Sequence, residues 1–216
     1  MSTPRTTIRI TVAITSVVYA VILYIAGVRL DNNVKHLLSY LPSVAGLALI
    51  VFDRWLWKLP PINRLHSRPR IGGLWQVELQ PDAASHIPEG GNRGPIAAYM
   101  LIEQSFWSVC VTQFTAESTS QSRAVAYIRR PDSSRQMLSF TYDNQPRREH
   151  LPRSPRHTGA CELSLSTGSP TVLPGLYFTD RFTAGEMKLI LIDRTTNYAD
   201  FAAAAAHDRA TQSVGP

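Results

Sequence analysis

The sequence predicts a membrane-anchored all-β protein, an N-terminal two-helix transmembrane hairpin followed by a roughly eight-stranded antiparallel β-barrel. Three observations predict it. Residues 10–28 (ITVAITSVVYAVILYIAGV) carry no charge, and a second apolar run starts at Leu37. From residue 71 onward, short runs of branched and aromatic residues alternate with turn clusters, and none shows a helical period. The links between neighbouring runs are short, which favours an antiparallel meander.

The first apolar run, as a helix, rises about 28 Å, close to the roughly 30 Å core of a bilayer. The second run, 37–56, has Pro42 early, Gly46 at its centre and Asp53 and Arg54 near its end. Pro42 and Gly46 are expected to permit kinking or close helix approach. Trp55 and Trp57 follow, as in an interfacial aromatic belt. Arg5 and Arg9 precede the first run; Lys58, Arg64, Arg68 and Arg70 follow the second, and the connecting loop holds only Arg29 and Lys35. Positive charge on both outer flanks places both termini and the β domain in the cytoplasm. A cleaved leader is one alternative, but the run is long for one and a second run follows at once; a buried core helix is the alternative for the second run, against which stand its Trp-rich end and the basic residues beyond it.

The expected domains are a hairpin over 1–58, a basic proline-rich linker over 59–70, the barrel over 71–194 and a partly helical tail over 195–216. The linker (LPPINRLHSRPR) holds the next domain near anionic headgroups. Strands are expected at 73–80, 96–103, 107–115, 123–130, 135–144, 159–166, 175–181 and 187–193. Eight strands of this length close into a small up-and-down barrel; an open sandwich is the other arrangement. A two-residue turn at Gln104–Ser105 sets Ile102 against Trp107, and a four-residue loop at 131–134 sets Tyr127 against Leu138 and Arg123 against Tyr142. One face of the second hairpin is small, with Ala124, Ala126, Ser139 and Thr141; turned inward, it leaves room for a ligand. Which face points inward is open, because a one-residue slip inverts it. A helix is expected over 197–209.

A net charge of +6 favours an acidic partner, which anionic lipid alone would satisfy. The six histidines are scattered, the two cysteines lack metal-site spacing, and no phosphate-binding glycine loop or GxSxG is present. The expectation is therefore a non-enzyme with no metal and no cofactor. Candidate ligand-binding residues are the arginines, aromatic rings and hydroxyls that share strands. These are Trp75, Arg123, Tyr127, Arg129, Tyr142, Tyr177, Thr179, Arg181 and Thr183. Arginine serves phosphate, rings stack bases, and hydroxyls meet base edges. Structural roles compete: Trp75 as a barrel plug covered by Arg181 in a lipocalin-like arrangement, the tyrosines as core, and Arg129 as a solvated residue before a turn.

Two N-terminal apolar runs, a basic linker, the segment GLWQVEL (73–79) and the late GLYFTDRFTAGEMKLIL (175–191) together resemble the two-transmembrane, β-strand-rich effectors of CBASS antiphage systems. That resemblance implies a barrel that binds a cyclic dinucleotide or oligonucleotide made by a CD-NTase, then self-assembles. The spans then disrupt the cell inner membrane and cause abortive infection. It implies as partners the cyclic nucleotide, anionic membrane lipids and further copies of the chain, and no DNA or RNA. A membrane-tethered lipocalin-like binder of an apolar molecule and a protein-binding adaptor are the alternatives.

Overall fold

The computed structural model describes residues 4–26, 40–63, 65–66, 68–87, 89, 91–129, 135–152, 154–166 and 168–213. The expected loop at 131–134 and the charged loop residues Arg29, Asp31 and Lys35 lie outside these. The chain divides into two compact units, one of Met1–His66 with Ser105–Ser108, the other of Ser67–Gln104 with Val109–Pro216.

The first unit is helical. Helix α1 spans Pro4–Ala26 and α2 spans Leu41–Arg54. The hydroxyls of Thr15 and Ser16 donate to the carbonyls of Thr11 and Val12, so these polar side chains are satisfied within α1. Pro42 lies in the first turn of α2, where its missing N–H is no loss; it opens that helix and does not kink it. At Gly46 a Cβ would sit 3.1 Å from the Val12 side chain, so glycine sets the approach of α1 to α2. The short helix α3, Pro60–Asn63, follows a single 3-10 turn at Leu56–Lys58.

Among the described residues no helix is long and apolar enough to cross a membrane. At 14 residues, α2 stops at Arg54, before the tryptophans that were expected to mark the end of a span. Two spans are therefore not supported by these helices. Asp53, near the end of the second apolar run, is buried and committed to the turn at Ser105–Ser108. Its carboxylate accepts from Trp107 N–H at 3.0 Å, and its carbonyl accepts from Phe106 N–H at 3.0 Å. Phe52, Trp57 and His66 ring Phe106 at centroid distances of 4.9–6.0 Å.

In the second unit eight antiparallel strands close in sequence order. They are β1 Gly73–Pro81, β2 Ile96–Gln104, β3 Val109–Phe114, β4 Ser118–Arg129, β5 Gln136–Pro146, β6 His157–Leu165, β7 Val172–Thr179 and β8 Ala184–Asp193. Every expected strand is present. The β2–β3 turn has four residues, not two, so Ile102 faces Val111 and Trp107 lies outside β3. In β4–β5, Tyr127 faces Leu138 as expected, but a bulge between Ser122 and Ala124 pairs Ser122 with Tyr142 and throws Arg123 out of register.

The interior is a packed core. Trp75, Met100, Ile102, Phe140, Leu163, Tyr177, Met187 and Leu189 are all buried in it. The small face with Ala124 and Ala126 turns outward, the opposite of what a ligand cavity inside the barrel requires. Trp75 plugs one end: its indole N–H donates to the Ile71 carbonyl at 2.9 Å, and a guanidinium lies 5.7 Å from its ring. That guanidinium belongs to Arg194, not Arg181. It also donates to the carbonyls of Arg70, Gly72 and Pro170, stapling the start of the domain to the β6–β7 loop.

Helix α4 spans Phe201–Ser213, four residues later than expected, because Asp200 caps it through Ala203 N–H at 2.9 Å. Its residues Phe201 and Ala204 cover the outward side chains Leu74, Tyr99, Leu101 and Phe114, and the Tyr99 hydroxyl donates to Asp208 at 2.9 Å.

Burial pushes the Tyr177 and Tyr127 phenols up from 10 to about 12. Each is held protonated in the fold, so its contribution to stability is intact below pH 10. That contribution is lost as pH rises from about 10 to about 12, where the unfolded chain ionises first. The thermal midpoint is expected to fall across that window, and Tyr177→Phe is expected to make the fall shallower. Scanning calorimetry against pH checks both.

Candidate functional site

Four strands, β4 to β7, build a cleft of about 550 Å³. Its floor exists because the outward residues Ala124 and Ala160 are small and Gly159 has no side chain. A Cβ on Gly159 would collide with the Tyr142 ring and sit 2.6 Å from the Phe178 carbonyl. Around the floor stand Arg123, Thr141, Thr158, Phe178, Thr179 and Asp180.

The β4 bulge supplies the cation. An extra residue in one strand re-aims a side chain, and here it turns Arg123 outward onto the cleft. Arg123 Nε lies 3.3 Å from Asp143 Oδ2, with both side chains well exposed.

The turn after β7 supplies the rest. Thr179 and Thr183 hydroxyls lie 2.6 Å apart, and Thr179 Oγ1 accepts from the backbone N–H of Arg181 and Thr183. Asp180 accepts two hydrogen bonds from Thr158, one from its N–H at 2.9 Å and one from its hydroxyl at 2.8 Å. The backbone bond foremost, with the Thr158 hydroxyl and His157 and Arg181 adding to it, holds the Asp180 carboxyl below the usual range. Arg181 Nη1 donates to Ser154 Oγ at 3.0 Å. Burial lowers the pKa of the neighbouring His157 imidazole from its ordinary value.

The same end of the barrel is polar inside. Asn144, at the end of β5, is buried, and its amide N–H groups donate to Ser118 and Ser120 at 2.9 Å each. Its amide oxygen is buried with no hydrogen-bond partner among the described residues.

The nine expected ligand residues do not form one site. Arg123, Tyr142 and Thr179 line the cleft; Arg181 and Thr183 lie in the adjoining turn, and Tyr177 is core just beneath. Trp75 is the plug. Tyr127 packs against the core near the opposite rim, where Gln104 donates to its hydroxyl at 2.9 Å and the Arg68 guanidinium stacks 4.2 Å from its ring. Arg129 is exposed at the far end of β4. Sequence reasoning missed Thr158, Phe178, Asp180 and Asn144. The first three belong to β6, β7 and the turn beyond it and meet only through register, although the TD dipeptide at 179–180 was a visible turn signal.

The fold is a closed antiparallel β-barrel with a filled interior, and its outer wall carries a cleft lined by an arginine, threonines and an aromatic ring. Residues 67–190 match the family described as Cap15, cyclic dinucleotide receptor domain, and the chain belongs to that family. It is also similar to the CD-NTase-associated protein 15 of Staphylococcus schleiferi, 23% identical over 153 residues, 71% of this chain and 78% of that protein.

Gly159→Ala is expected to lower stability by about 1–3 kcal/mol through overpacking against Tyr142 and Phe178. Denaturant unfolding followed by tryptophan fluorescence checks it.

Proposed function

We propose that this protein is a CBASS effector whose barrel binds a cyclic dinucleotide in the cleft between β4 and β7. The observation that carries the reading is the coincidence of the receptor-family match, residues 67–190, with the barrel that holds the cleft. The cleft's chemistry supports it: Arg123 for phosphate, the Thr158 and Thr179 hydroxyls for polar edges, and Phe178 as an aromatic face. The role is reception and not catalysis.

In this reading ligand binding drives copies of the chain to assemble, and the N-terminal unit then acts on the cell inner membrane, with both termini in the cytoplasm. Supporting that, Ile14, Val17, Val18, Ile22 and Tyr24 of α1 and Val44 and Leu47 of α2 are exposed apolar residues. Singly exposed apolar residues are ordinary, but a run of them along two helices marks an interaction surface. The positive flanks around the two apolar runs support that orientation. The lipocalin-like alternative loses its basis, because its ligand would lie inside a barrel whose interior is filled by side chains.

The test is titration of the full chain in mild detergent with cyclic di-AMP, cyclic di-GMP and cyclic di-UMP. Calorimetry and light scattering are read on the same samples. Binding with growth in mass is expected; no binding by any member sinks the reading. Arg123→Ala is expected to shift stability by less than about 1 kcal/mol, since its ion pair is exposed. The same change is expected to weaken the bound ligand by about tenfold or more, by removing a charge-assisted contact.

A further inference from the structure

The turn after β7 holds an exposed phenyl ring in an unfavourable backbone conformation. Phe182 has φ of 59° and stands alone among the described residues as a non-glycine with positive φ. A bulky residue in the left-handed region is a genuine outlier, disfavoured by roughly 1–2 kcal/mol. Its side chain is 82% exposed, so the ring gains no burial in return.

The turn is nevertheless fixed from three sides. Thr179 N–H donates to the Thr183 carbonyl and Phe182 N–H to the Thr179 carbonyl, closing the turn on itself. Asp180 ties it to β6 through Thr158, and Asp180 N–H donates back to the Thr158 carbonyl at 3.0 Å. On the other side His86 N–H donates to the Phe182 carbonyl at 3.0 Å, and Ser85 bonds both the carbonyl and the N–H of Ala184. Arg181 ties it to the loop beyond β5 through Ser154. So many bonds, converging on a strained residue whose ring points at solvent, indicate that the ring's position matters to something outside the fold.

We infer that Phe182 is the stacking platform for one base of the cyclic dinucleotide, and that the Thr179–Thr183 hydroxyl pair holds it ready. The inference rests on the receptor reading above. Phe182 follows Asp180 of the cleft wall by two residues, and it sits beside Arg181. A second exposed ring, Phe178, already lines the cleft. Two ring faces among arginines and hydroxyls match a nucleotide, with flat bases and charged phosphates, better than an acyl chain, which needs a continuous apolar wall. A turn whose backbone is fixed before binding avoids the entropy of ordering that segment at the moment of binding.

The experiment compares the full chain with Phe182→Ala, Phe182→Gly and Phe182→Trp. Calorimetric titration uses the same three cyclic dinucleotides, and thermal midpoints are taken alongside. Loss of one stacked base is expected to weaken binding by about 5- to 150-fold in Phe182→Ala and Phe182→Gly. Phe182→Gly is expected to melt at or above the wild type, because glycine adopts this conformation freely. Phe182→Trp is expected to bind within a few-fold of the wild type.

Unchanged affinity in Phe182→Ala and Phe182→Gly, with wild-type binding intact, overturns the platform alone. No binding by the wild type overturns the receptor reading and the platform with it. Weaker binding in Phe182→Ala that tracks a lower midpoint and is absent in Phe182→Gly also overturns it, as a folding effect. Retained nucleotide affinity with lost binding to phosphatidylglycerol vesicles overturns it in favour of a lipid contact.

Discussion

Closure of the sheet is the constraint on which the rest depends. β1 pairs with β8 over eight positions, from Leu74 to Pro81, and this pairing closes the barrel. Eight strands leave an interior just wide enough for side chains. Here that interior is filled by Trp75, Met100, Phe140, Tyr177 and their neighbours. Any ligand is therefore displaced to the wall or the rim. On the wall, the small residues Ala124, Gly159 and Ala160 lie beside the break in the β4 ladder at Arg123. The Trp75–Arg194 plug lies at the end where the chain enters the barrel, and the buried Asn144 amide lies at the other end.

Much of the barrel was legible because a half-buried strand writes its pattern at period two. All eight strands follow from branched and aromatic runs with turn clusters between them. The β5 register was readable too, since Tyr127 against Leu138 needs only a loop length. The errors have particular causes. The β2–β3 turn runs from Ser105 to Ser108 because the Ser105 N–H donates to the Ser108 carbonyl, and Trp107 is drawn into the first unit by Asp53. The β4 bulge leaves no signature in a run of SRAVAY, yet it decides where Arg123 points. The inward face was undetermined by pattern and was settled by bulk, with the large residues taking the inside.

The candidate site was legible by residue type more than by place. Arginines, tyrosines and threonines were expected to share a site, and five of them, Arg123, Tyr142, Thr179, Arg181 and Thr183, gather around one cleft and its turn. Trp75 and Tyr127 are the same residue types used for packing, and nothing in local sequence separates an aromatic that plugs from one that stacks. Arg194 illustrates this from the other side. It stands just past the last strand, with no apolar alternation around it, and only the tertiary fold brings it over Trp75.

The N-terminal unit poses the opposite problem. Its apolar runs are plain in the sequence, but the helices divide them differently. Pro42 begins α2, Arg54 ends it, and the buried Asp53 is spent on two backbone N–H groups of a turn far away in sequence. A carboxylate so engaged is not free to form a polar defect, so disruption of a membrane by this unit would draw on its exposed apolar side chains. Arg123 is engaged too, but differently. Its partner Asp143 is exposed, and an exposed ion pair contributes only about 0–1 kcal/mol, less than a phosphate offers in charge-assisted hydrogen bonds. The cleft's cation is thus held in place by a weak anion that a stronger one displaces, whereas Asp53 is locked by bonds no ligand replaces. That difference fits the proposed reception at the barrel wall and a structural role for the buried acid.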